Sequence, residues 1–212
     1  MRIYEKIRNT KFLIFDFDGT IANTSPMHEK AFKEVFKNYK IPFKYEEIAG
    51  QSTRNAFTYI LKKNNLNLSS TKVEELIKKK QDLVRENLFS NSEFKSLPYA
   101  KEFIQKYHQK YCMGIASSGS RKTIEIALRR LGLYDFFKII LCGEDVVESK
   151  PSPEIFLKII SLGNFTKNES LIFEDSKNGI MASKAAKIPF IDVTNYPFKK
   201  ILEEFQYFHE KT

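Results

Sequence analysis

Apolar residues recur along this chain with two different periods, and the change between them divides it. Phe12-Leu13-Ile14-Phe15 is continuously apolar and stops at Asp16, which predicts a buried strand running into a tight Gly19-Thr20 turn. A helical period then takes over. Ser25-Pro26 opens a helix to about Tyr39, with Ala31, Phe32, Val35, Phe36 and Tyr39 on its inner face and His28 on the same side. Ile41-Pro42 breaks it, and a loop through Gly50 and Arg54 leads into a second helix ending near Asn64-Asn65. Ser69-Ser70 caps a third, whose stripe reads Val73, Leu76, Ile77, Val84 and Leu88 with Lys80 in its one gap.

After about Ser92 helix and strand alternate. Pro98 starts a helix carrying Phe103, Ile104 and Tyr107, and Tyr111 to Ala116 reads as a strand ending at Ser117-Ser118-Gly119-Ser120. Ser120 is placed to cap a helix from Arg121 to Leu131 that Gly132 closes. Phe137 to Leu141 is the next strand, followed by a helix from Glu154 to Leu162 closed by Gly163. Leu171-Ile172-Phe173 is a strand ending in Glu174-Asp175-Ser176, Gly179 to Lys187 a helix, Ile191 to Val193 the last strand, and the tail a terminal helix. This alternation predicts an α/β fold, a parallel sheet with helices on both faces. Reactive loops of such sheets lie at the carboxyl ends of the strands. Asp16 and Asp18, Ser117, and Glu174 and Asp175 therefore converge on one edge. Residues 1–21 and 93–212 are expected to form the core domain, and residues 22–92 an inserted all-α cap domain beside that edge.

Composition narrows the picture. With 212 residues and 42% hydrophobic content the chain can bury a sizeable core. The net charge of +9 raises nucleic acid as a partner, but the lysines are scattered and sit at helical spacing with Glu, which reads as solvated faces. No nucleic-acid partner is expected, and positive potential steering an anionic substrate fits better. Cys112 and Cys142 lack metal-type spacing and read as free, buried thiols. The charged stretch from Met1 to Lys11 and the interruption at Asp16 predict neither signal peptide nor membrane span, so a cytoplasmic monomer is the default.

The chemistry begins at Asp16 and Asp18. Residues i and i+2 of a strand share a face, so two carboxylates and a backbone carbonyl at its end make a hard oxygen site suited to Mg²⁺. An acidic loop with no ligand is the plain alternative. His28 is a core histidine or, being close in sequence to the acids, a site residue. Lys80 either snorkels to the domain edge or reaches a cleft.

Four motifs in order carry a resemblance: Asp16-Phe17-Asp18-Gly19-Thr20; Ser117 after an apolar strand; Lys150-Pro151 within Glu148 to Phe156; and Phe173-Glu174-Asp175-Ser176. Together the chain resembles the haloacid dehalogenase superfamily of phosphohydrolases over roughly residues 11–195. The position of the helical insertion is similar to the subgroup of β-phosphoglucomutase and sugar-phosphate phosphatases.

The resemblance implies a Rossmann-like core and a set of roles. Asp16 is the nucleophile that forms an aspartyl-phosphate, and Asp18 the general acid and base. Mg²⁺ is held by the Asp16 carboxylate, the Asp18 carbonyl, Asp175 and, as a further ligand, Glu174. Ser117 and Lys150 hold the phosphoryl oxygens, with Gly19, Thr20, Ser118 and Gly119 around them. His28, Arg54 and Lys80 contact substrate from the cap, and Thr24 lies at the hinge. Asn23, Gly119 and Pro98-Tyr99 depart from the pattern of relatives. The implied activity is Mg²⁺-dependent hydrolysis of a small phosphorylated metabolite, a sugar phosphate by preference. The alternatives are a phosphomutase of the β-phosphoglucomutase type and, from another class, a non-catalytic binding module on the same fold.

Overall fold

In the computed structural model, which describes residues 3–211, five strands form one parallel sheet. Their order in space is β3-β2-β1-β4-β5, with β1 Phe12–Phe15, β2 Cys112–Ala116, β3 Ile139–Leu141, β4 Ser170–Glu174 and β5 Phe190–Asp192. Strand order reverses on either side of β1, so a crevice opens at the carboxyl ends of β1 and β4, the usual binding position in open sheets. The register sets Phe15 beside Ile115 and Phe173, which brings the residues after all three strands to one level.

Helices cover both faces. The helices are α1 Ile3–Ile7, α2 Ser25–Phe36, α3 Thr53–Lys63, α4 Ser70–Ser90, α5 Ala100–Tyr107, α6 Arg121–Leu131, α7 Glu154–Gly163, α8 Lys177–Ala186 and α9 Phe198–Lys211, with α2, α3 and α4 in the segment between β1 and α5. Leu13, Phe15, Met113 and Phe173 face α5, α6 and α9, whereas Phe12, Ile14 and Ile172 face α7 and α8. The Phe15 and Phe173 rings stack at 4.6 Å between centroids, tying β1 to β4 where the acids emerge. Full burial of each such ring contributes about 1.5–3 kcal/mol before chain entropy is subtracted. A third cluster, with Phe32, Phe36, Phe57, Ile60 and Leu76, lies within the helical segment, while Met27, Ala31, Val84 and Leu88 join that segment to the main core.

Several local readings change. The predicted helix to Tyr39 stops at Phe36, with a 3₁₀ turn over Lys37–Tyr39. Ser120 does not cap α6: its hydroxyl pairs with Thr123, and the Arg121 N–H donates to Glu144 instead. Gly163 is the last helical residue of α7, and Asn164 adopts the left-handed conformation that ends it, at φ 57°. The departure at Pro98-Tyr99 has a backbone consequence, because Tyr99 sits at φ 64°, a region unfavourable for a bulky residue. Helix α1 was not signalled by the charged N-terminus; Ile7 anchors it in the core. Both cysteines are free, Cys142 buried and Cys112 only partly. Among the described residues, no helix is long and apolar enough to cross a membrane.

Candidate active site

The end of β1 delivers Asp16, which is buried, and Asp18, which is partly exposed. Gly19 follows at φ 91°, and a Cβ there would stand 2.1 Å from Asp175 Oδ2. Glycine is therefore required twice, by the turn and by the approach of β4's loop. Thr20 donates to Asp175 Oδ1 at 2.9 Å, and Thr24 donates to Asp18 Oδ1 at 2.5 Å. Each aspartate is thus oriented by a hydroxyl from the turn after β1.

Lys150 bridges the acids from below. Its ammonium is fully buried and lies 2.6 Å from both Asp16 Oδ1 and Glu174 Oε1. Burial alone would lower its pKa, but the two carboxylates outweigh burial and hold it well above the usual lysine range. Glu174 is committed elsewhere as well. Its Oε2 accepts from the Asp175 and Ser176 N–H groups and the Ser176 hydroxyl. With most of its lone pairs taken, Glu174 orients Lys150 and the start of α8.

Burial and the neighbouring carboxylates push Asp16 well above the usual range, despite Lys150. Burial, then Glu174, raises Asp175 to about 7. One oxygen each of Asp16, Glu174 and Asp175 lie within 4.8 Å of one another. Carboxylates pushed up in this way are short of positive charge, and their all-oxygen donor set fits a hard divalent cation. Asp18 behaves oppositely. Burial would raise it, but His28, the Thr24 hydrogen bond and Lys80 together bring it to about 2.

The helical segment supplies the roof. Lys80 is buried in the core-facing gap of α4 and donates to His28 Nδ1 at 2.8 Å, with Thr53 Oγ1 at 3.4 Å and the Phe32 ring 4.6 Å below. Burial lowers Lys80 to about 8 and, with Lys80 beside it, lowers His28 too. A lysine ammonium only donates, so the neutral His28 carries its proton on Nε2. That nitrogen lies 3.4 Å from Asp18 Oδ1, an approach without a formed hydrogen bond.

These groups enclose a cavity of about 40 Å³ lined by Asp16, Asp18, His28, Lys80, Ser118, Gly119 and Asp175. The Ser118 hydroxyl is buried with no hydrogen-bond partner among the described residues. An orphaned buried hydroxyl at a cavity wall is costly unless a ligand meets it. Ser117 lies behind that wall, its Oγ accepting from the Gly119 N–H.

Residues 13–193 match the family profile of haloacid dehalogenase-like hydrolases. The chain belongs to that family. It is 29% identical to the fructose-1-phosphate phosphatase YqaB of Escherichia coli, covering 85% of this chain and 95% of that one. It is also 29% identical to a phosphorylated carbohydrates phosphatase of Thermotoga maritima, covering 83% and 81%. Among solved structures, β-phosphoglucomutase from Clostridium difficile shares the fold, with a TM-score of 0.78, 22% identity, and 94% of this chain and 98% of that one covered.

For this haloacid dehalogenase-like hydrolase, the motif residues and the two residues from the helical segment, His28 and Lys80, come together. Gly19, Thr20, Ser117 and Lys150 support the cavity rather than line it. Arg54 lies outside this cavity: it is exposed, and its guanidinium is held by both oxygens of Glu74. Sequence reasoning missed Tyr45, which reaches the cavity from the loop after α2 and shares a hydrogen bond with Ser25. Burial pushes its phenol well up. Its signal was available, an aromatic residue in the otherwise charged run Lys44-Tyr45-Glu46-Glu47.

Proposed function

We propose that this enzyme is a Mg²⁺-dependent phosphatase of small sugar phosphates that works through an aspartyl-phosphate. The carrying observation is that two aspartates facing one small cavity have unlike surroundings, Asp16 beside Lys150 and the β4 acids, Asp18 beside Thr24, His28 and Lys80. Groups whose environments push them apart take different roles. The phosphatase names of the relatives support the reaction, and those printed for fructose 1-phosphate and phosphorylated carbohydrates support the substrate class.

Asp16, immobilised by Lys150, attacks phosphorus along a line the cavity fixes. Ser118 and the Gly119 backbone receive the phosphoryl oxygens. Asp18, ionised in the resting site, is a base. To act first as an acid it takes a proton with the arriving dianionic ester, whose like charge raises its carboxyl. It then protonates the leaving oxygen, and afterwards accepts the proton of the water that cleaves the acyl phosphate. The carboxylates of Asp16 and Asp175 and the Asp18 carbonyl would hold Mg²⁺, with Glu174 orienting them. Bound there, the ion would screen the repulsion between Asp16 and the phosphoryl oxygens. Residues 22–92 act as a cap that excludes water and presents His28 and Lys80.

A panel of sugar phosphates assayed with Mg²⁺ and with chelator tests the reading. Release of inorganic phosphate that chelator abolishes and Mg²⁺ restores is expected. Metal-independent hydrolysis would sink it, and conversion of β-glucose 1-phosphate to glucose 6-phosphate would make the enzyme a mutase.

The roof predicts a pH dependence. Lys80, at about 8, must stay protonated to hold the His28 proton on Nε2, facing Asp18. Its ammonium is lost as pH rises, so kcat/KM, which reports the free enzyme, falls above about pH 8. Lys80→Arg keeps its charge, and that alkaline fall should disappear even if the rate drops. An unchanged alkaline limb in Lys80→Arg would remove Lys80 from this role.

A further inference from the structure

Past Thr53, Ser118 and Gly119 the catalytic cavity adjoins an outer chamber of about 400 Å³, bounded by α3 and α4 above and the loops after β2 and β3 below. The inner space of about 40 Å³ amounts to only about three water-sized spheres. An ester larger than a phosphoryl group needs more room than this, and the adjoining chamber offers it. That chamber is lined by neutral polar groups, among them Asn55, Gln81, Ser120 and Ser149, with an apolar edge at Ile77 and Val147. Asn55 Nδ2 already donates to Ser149 Oγ at 2.6 Å, linking roof to floor.

The charged side chains in this lining are Arg54 and Glu144, and both are engaged. Glu144 accepts from the Arg121 N–H with both oxygens. Arg54 gives its two terminal nitrogens to the two oxygens of Glu74, one turn into α4. A bidentate carboxylate takes the same fork that would bind a phosphate. The pair is exposed and adds little to stability, so its consequence is for the charge at the chamber.

Building on the phosphatase reading, we propose that Glu74 is a specificity-determining residue: by occupying Arg54 it leaves the outer chamber without an available cation, beside the carboxylate of Glu144, and so selects esters with an uncharged, hydroxylated tail against those bearing a second phosphate. A bisphosphate must displace Glu74 from Arg54 and then lie beside its negative charge. A polyol tail can pair with the hydroxyls and amides of the lining, and its own hydroxyls can donate to Glu144, at no such cost.

The test compares kcat/KM for fructose 1-phosphate and fructose 1,6-bisphosphate, with Mg²⁺, in wild type, Glu74→Gln and the double variant Glu74→Gln/Arg54→Gln. Wild type should prefer the monophosphate by about tenfold or more. Glu74→Gln, which frees Arg54, should shift the ratio toward the bisphosphate by about tenfold, and the double variant should shift it back. Equal use of both esters by wild type, or a ratio that Glu74→Gln does not move, overturns the assignment of Glu74 while leaving the phosphatase reading intact. Release of phosphate from neither ester, nor from any other sugar phosphate, overturns that reading and this one together.

Discussion

Asp16→Asn should yield a folded protein that releases phosphate roughly 10⁴-fold more slowly or worse, the scale on which removal of a nucleophile acts. Asparagine is isosteric, and its carbonyl oxygen can still accept from Lys150, whose second carboxylate, Glu174, is unchanged. The fold therefore has little reason to fail, and the loss reports the attack together with the metal ligand that Asp16 would supply. Acid-quenched wild type incubated with substrate should contain a base-labile acyl phosphate that Asp16→Asn lacks. Asp18→Asn provides the contrast. In our reading Asp18 gives the metal only its backbone carbonyl, so the variant should retain Mg²⁺ binding, measured by calorimetry, while turnover falls. Full activity in Asp16→Asn would refute the mechanism, and loss of Mg²⁺ binding in Asp18→Asn would refute the division of labour between the two acids.

Lys150→Met should cost about 3–5 kcal/mol of stability, as expected when one partner of a buried ion pair is removed, and should also abolish activity. The ammonium has no exposed surface and meets two carboxylates at 2.6 Å. Methionine fills a similar volume, so the loss reports charge rather than a cavity. The pH dependence follows from the direction of the Asp16 shift. Burial and the neighbouring carboxylates already hold its folded-state pKa above the ordinary aspartate range, and removing Lys150 raises it further. A group raised in this way contributes stability that is fully present below its unfolded pKa and lost as pH rises through the folded one. The deficit of Lys150→Met against wild type should therefore grow as pH rises above the ordinary carboxylate range, measured as urea midpoints in chelator. A deficit independent of pH would mean that Lys150 acts by packing and not by charge.

Much of the sheet was legible because its signals are local. A continuous apolar run ending in acid marks β1, and the same device marks β4. Gly132 ends α6 with φ 66°, as its position suggested. The errors at helix ends are local competitions that the sequence leaves open. Ser120 had a hydroxyl partner in Thr123, and Asn164 could take the left-handed conformation that Gly163 was expected to supply. Tyr45 was overlooked because a 3₁₀ turn of three residues carries no periodicity to read.

The opening motif and its downstream partners determine, without any coordinates, that carboxylates gather at one sheet edge, because strand period and parallel topology are properties of order along the chain. Which charge neutralises which is decided only by the tertiary structure. Lys150 joins Asp16 across 134 positions, Lys80 reaches His28 across 52, and Arg54 turns to Glu74 across 20. Coulomb and desolvation energies depend on distance and burial in space, and neither is a function of spacing in sequence. The residue types thus gather acids and a lysine at one sheet edge, while packing gives Asp16 and Asp18 unlike surroundings, turns Lys80 into the cavity, and ties Arg54 to Glu74 outside it.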